Sequence, residues 1–154
     1  MSDHQRSDSG IALPGVVSSL FAVAVTLNYP WELAQAPLFV GFTDFNAIWW
    51  HCFVASLGGG VMVLLIFAIG WLVSRSRNWF ERPGARGYTV MLVSGLTIAV
   101  AVEWIAVQLL QRWNYAPAMP LLPVLDIGIV PVAQMLVLPA LIFRVVAARV
   151  SRSR

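Results

Sequence analysis

The chain has 154 residues, 59% hydrophobic and 11% charged, with a mean hydropathy of +0.78. Such values exclude a soluble domain and indicate an integral membrane protein. Ten arginines, no lysine and seven acids leave a formal charge of +3, but the arginines stand beside apolar runs as topology signals, which argues against nucleic-acid binding.

After a polar tail over residues 1–10, the first apolar run extends from Ile11 to Tyr29. Ala34-Gln35-Ala36 has the small-residue form of a signal-peptide cleavage site. The apolar run is nevertheless longer than the usual ~7–15 residues, and Pro37 would follow the cut, so this segment is expected to stay as a span. Pro30 then either kinks the helix or begins a second short one. If the helix continues, Asn28, Glu32 and Gln35 line one face. If Pro30 starts a new helix, Glu32 lies in its first turn, where the helix dipole favours a negative charge. Thr43-Asp44 suits an N-cap for the next helix.

The second run, Trp49 to Val73, places His51, Ala55, Gly58 and Met62 on one face, and Gly58-Gly59-Gly60 allows another backbone to approach closely. Cys52 is the single cysteine; it excludes an intramolecular disulfide and reads as a small apolar filler. Arg75, Arg77, Arg82 and Arg86 crowd the following loop.

The third run, Tyr88 to Gln111, contains Glu103, the one acid set well within a membrane-length segment. An ionisable group there is costly unless paired, protonated or hydrated, and it marks a site or a polar lock between helices. Gly95, Ala99, Glu103 and Ala106 fall within one arc of the helix, so the carboxyl is expected to point into the bundle along a small-residue face. Arg112 to Pro123 follows, a stiff loop with three prolines, Trp113 and Tyr115 that lies on the membrane surface or caps the bundle. Asn114-Tyr-Ala-Pro117 faintly echoes Asn28-Tyr-Pro30, too short a match to establish a repeat.

The fourth run, about Leu121 to Val146, starts near Pro123 and carries Pro131 and Pro139, which predict kinks. Asp126 either stabilises the start of this helix or shares a face with Val130, Ala133, Gln134 and Val137 in a pocket. Residues 147–154 read as a basic tail.

A helix needs about 20 apolar residues to cross a bilayer, and all four runs qualify. The expected fold is an all-α integral membrane protein of four transmembrane helices in a compact bundle, filling residues 11–146. Arg6, the loop arginines, and Arg144, Arg149, Arg152 and Arg154 fall on one side, leaving only Arg112 opposite. The positive-inside rule then makes both termini cytoplasmic. In a bacterium this is a multi-pass inner-membrane protein. The polar residues Asn28, Glu32, Gln35, Asp44, His51, Glu103, Gln108, Arg112 and Asp126 gather in the outer half, so a cavity would open outward.

The candidate acid–base residues are Glu103 and His51, with Glu32, Asn28, Asp126 and Gln134 as candidate ligand-binding residues. The chain has no Walker, GxSxG or HExxH motif. Two histidines, one of them in the N-terminal tail, do not supply a heme, and no spacing supports a metal, so no cofactor is expected. Three function classes remain. The first is an outward-facing pocket for an apolar or amphipathic ligand, extending to acid–base chemistry on a lipid or isoprenoid. The second is an accessory or assembly subunit of a membrane complex, or a homo-oligomer packed through the small-residue faces. The third is a proton-coupled small transporter.

Overall fold

A computed structural model describes residues 12–41 and 45–152, with the side chains of 45–47 excepted; the Asp44 cap, the N-terminal tail and Arg154 lie outside the described residues. Four long helices form the bundle: α1 (Leu13–Gln35), α2 (Phe45–Ser74), α3 (Gly84–Trp104) and α4 (Ile129–Arg152). Each is long and apolar enough to cross a membrane, and α3 runs on through a π-helical stretch over Ile105–Leu109. The helices form a ring in chain order, closed by packing of α4 on α1. Leu20, Val63, Ile66, Ile142, Phe143 and Val146 have no exposed surface and form its centre. Leucine and valine side chains such as Leu72, Val93 and Leu109 point outward, as a lipid-facing surface requires.

Pro30 does not restart the helix. It sits inside α1, which continues to Gln35, so Glu32 occupies a last turn and not the first turn of a second helix. A short 3-10 turn, Ala36–Leu38, ends the segment. Asn28 is therefore helical, while Asn114 lies in an extended loop, and the two Asn-Tyr motifs occupy unlike positions.

The fourth helix begins eight residues later than its apolar run. Leu121–Leu122 (β1) and Ile127–Gly128 (β2) pair as a short antiparallel hairpin, Leu121 opposite Gly128 and Leu122 opposite Ile127. Pro120 and Pro123 lack the N–H groups a helix needs there, and Val124 and Asp126 turn the chain with φ of 75° and 50°. Pro131 falls in the first turn of α4, where a missing N–H costs nothing, whereas Pro139 lies within the helix. At the other end α4 runs on to Arg152, so most of the expected basic tail is helical.

Glycines set the closest helix approaches. A Cβ on Gly59 would lie 2.7 Å from the Asn28 Cγ, and one on Gly60 2.8 Å from the Phe21 ring, so α1 and α2 meet there. A Cβ on Gly95 would lie 2.4 Å from the Met135 carbonyl oxygen, joining α3 to α4. These small-residue positions are thus occupied by packing within one chain. The arginine-bearing end is closed by the α2–α3 loop, where the Trp79 indole donates to the Phe67 carbonyl at 3.1 Å and its ring packs tilted against Phe143 with centres 5.3 Å apart. Arg86 caps the end of α2 by donating to the Val73 carbonyl at 3.1 Å.

Candidate functional site

At the end of the bundle away from that loop, the four helices diverge around a cavity of about 310 Å³, within the ~300–1,000 Å³ range of small-molecule pockets. Its walls are mostly apolar. His51, Ala55, Gly58 and Met62 line it along one face of α2, and Ala99 and Glu103 line it from α3. Glu32 and Gln35 enter from the last turn of α1, Gln134 from the first turns of α4, and Phe39 and Trp113 from the loops above.

A continuous hydrogen-bond network joins α1 to α4 beside the cavity. The Gln134 amide nitrogen donates to Asn28 Oδ1 at 2.7 Å and to Glu32 Oε1 at 2.8 Å. The Gln35 amide nitrogen donates to Glu32 Oε2 at 2.7 Å and to Gln134 Oε1 at 3.1 Å. Asn28 in turn donates to the Ala24 carbonyl at 2.8 Å. Helical phase explains the set: positions 28, 32 and 35 repeat at four and three residues, so the continuing α1 presents all three toward α4. Both Glu32 oxygens accept an amide proton, which holds the carboxyl in one orientation.

Glu103 is held from a different direction. It is 7% exposed, and the Tyr115 hydroxyl donates to its Oε2. Tyr115 reaches it because the loop after α3 pairs with the segment after α1: Val40 N–H donates to the Asn114 carbonyl and Ala116 N–H to the Leu38 carbonyl, both at 2.9 Å. Phe39 packs on Tyr115 and Trp113 with ring centres 5.6 and 6.4 Å apart. Burial, reinforced by the bond to Glu103, pushes the Tyr115 phenol above its ordinary range, so it stands as a protonated donor at neutral pH. The π-helical stretch that begins two residues after Glu103 ends with Leu110 N–H donating to the Ile105 carbonyl and Arg112 N–H to the Ala106 carbonyl, both at 2.9 Å; such bulges recur at functional sites.

The structure therefore brings Glu32, Glu103, His51 and Gln134 to one cavity, with His51 exposed at its edge. Asn28 is fully buried behind it, supporting Gln134 and outside the lining. Asp126 is not on α4 and not at the cavity: it sits exposed in the hairpin turn, where the prolines have broken the helical phase assumed for it. Tyr115, Trp113 and Phe39 escape sequence reasoning as site residues, since no periodicity relates a loop residue to Glu103; the one hint is the aromatic pair in a proline-rich loop. Cys52 lines the cavity as well as filling space. Among the described residues no three His, Cys, Asp or Glu side chains converge as a metal-ligand set.

The chain matches no protein-family model, no curated protein and no solved structure.

Proposed function

We propose that this protein is an intramembrane binding protein for an amphipathic molecule, whose polar end lies against Glu32 and Glu103 and whose apolar body fills the space bounded by Gly58, Met62, Ala99 and Met135. The observation that carries this reading is the cavity itself: apolar walls with two carboxyls and an ordered amide network at one end. In this proposal the ligand enters beside α2, where His51 and Ala55 are both exposed and part of the lining. Tyr115 occupies Oε2 of Glu103 and leaves Oε1 for proton exchange with the ligand, the step by which binding extends to acid–base chemistry.

The proposal includes an orientation. Arginines concentrate at the closed end of the bundle, so by the positive-inside rule both termini are cytoplasmic and the cavity faces the outer side of a bacterial inner membrane.

Cys52, the sole thiol, reports occupancy directly. In phosphatidylcholine nanodiscs, methyl methanethiosulfonate is expected to label Cys52 of the folded chain. A twelve-carbon amphiphile should slow that labelling, and Ala55→Trp, which fills the cavity, should slow it without any ligand. Labelling of Ala55→Trp at the unaltered rate would refute an accessible cavity.

A further inference from the structure

The polar end of the cavity is unbalanced in hydrogen-bonding character. Gln35 and Gln134 each use both amide protons within the network, and the Tyr115 proton is directed to Glu103. The Trp113 indole N–H stands by Glu103 and Tyr115 without meeting hydrogen-bond geometry. On the acceptor side, the Gln35 side chain is 4% exposed, lines the cavity, and has an Oε1 with no partner. An orphaned buried carbonyl is costly and calls for a donor. Glu32 and Glu103 add further lone pairs, and both carboxyls line the same cavity. Among the described lining residues the basic side chain is His51, at the edge of the cavity, and no arginine or lysine is present.

Resting on the binding function proposed above, we infer that the ligand's polar end is a protonated amine, an ammonium group on an apolar chain or ring. Such a group brings positive charge to a pair of acids with no arginine or lysine beside them among the described lining residues, and its N–H bonds serve Gln35 Oε1 and the carboxyl lone pairs together. Phe39 and Trp113 beside the head group add aromatic faces that attract a cation. An alcohol supplies one donor and no charge, and a carboxylate brings further acceptors to a site already rich in them.

The test compares protection of Cys52 by dodecylamine, dodecyltrimethylammonium, dodecan-1-ol and dodecanoate, using the full chain in phosphatidylcholine nanodiscs and correcting for partition into empty discs. Dodecylamine is expected to half-protect at a concentration about tenfold below the alcohol, as charge-assisted hydrogen bonds imply. The trimethylammonium compound, which has charge but no N–H, should fall between them, and dodecanoate should protect least. In Glu103→Gln, which keeps the shape of the side chain, the preference for amine over alcohol should shrink. Equal protection by amine and alcohol, or an undiminished preference in a folded Glu103→Gln, overturns the ammonium assignment while leaving the binding function standing. Absence of protection by every probe overturns both. The ligand series on the unaltered chain decides the matter even where the variant does not fold.

Discussion

Replacing Gln134 with leucine removes the one side chain that ties Asn28 and Glu32 to α4. Three hydrogen bonds disappear: those donated to Asn28 Oδ1 and Glu32 Oε1, and that accepted from Gln35. Interhelical hydrogen bonds in membranes average about 0.6 kcal/mol, so three contribute roughly 2 kcal/mol. Asn28 has no exposed surface, and its carbonyl oxygen is left without a partner, which adds at least about 1 kcal/mol. The expected loss is therefore about 3 kcal/mol. It is measured by SDS titration of the bicelle-reconstituted chain, followed by circular dichroism. Removing both partners in Asn28→Leu/Gln134→Leu eliminates the orphan along with the bond, so the double variant should be less destabilised than the sum of the singles by about 1 kcal/mol or more. A Gln134→Leu chain within about 0.5 kcal/mol of the unaltered protein, or strictly additive singles, would refute the view that this network locks α1 to α4.

Gly95→Ala places a Cβ 2.4 Å from the Met135 carbonyl, forcing α3 and α4 apart by about 1 Å to reach ordinary contact; overpacking of this kind costs roughly 1–3 kcal/mol, read by the same titration, and an unchanged midpoint would count against the close crossing. Tyr115 has a folded-state pKa raised above its ordinary value of 10.0. The unfolded chain thus loses this proton first, and the stability Tyr115 contributes is intact below about pH 10 and lost as pH rises beyond it. Tyr115→Phe should flatten that alkaline decline, and the tyrosinate absorbance missing from the variant should be the part that titrates above the usual range; a decline of equal slope in the variant excludes this origin. For orientation, a membrane-impermeant methanethiosulfonate should label Cys52 in intact cells and not in sealed inside-out vesicles, and the reverse pattern would invert the proposed topology.

Much of the architecture was legible because a bilayer imposes length and apolarity on every span. The helical period also identifies the cavity side of α2: His51, Ala55, Gly58 and Met62 are neighbours on any straight helix, and all four line the cavity. Asn28, Glu32 and Gln35 were placed together only on the condition that the helix continues through Pro30, a condition the structure meets. Asp126 shows where periodicity stops: Pro120 and Pro123 end the helical phase, so extrapolating a face back from Gln134 puts the carboxylate in the wrong place. Trp79, in an arginine-rich loop, gives no sequence sign that its indole packs against Phe143 beneath Gly70.

By itself the sequence determined that four membrane-length helices would form, that Glu103 would lie well within one of them, and that the basic residues would concentrate toward one end, because these follow from the transfer energetics of single segments. Only tertiary structure decided how that acid is partnered. Glu103 is bonded by Tyr115, twelve residues away in a loop held by Phe39 and Val40, and Glu32 by Gln134 from the far end of the chain. Hydrogen bonds between helices depend on tilt, stagger and loop path, quantities that no local periodicity contains.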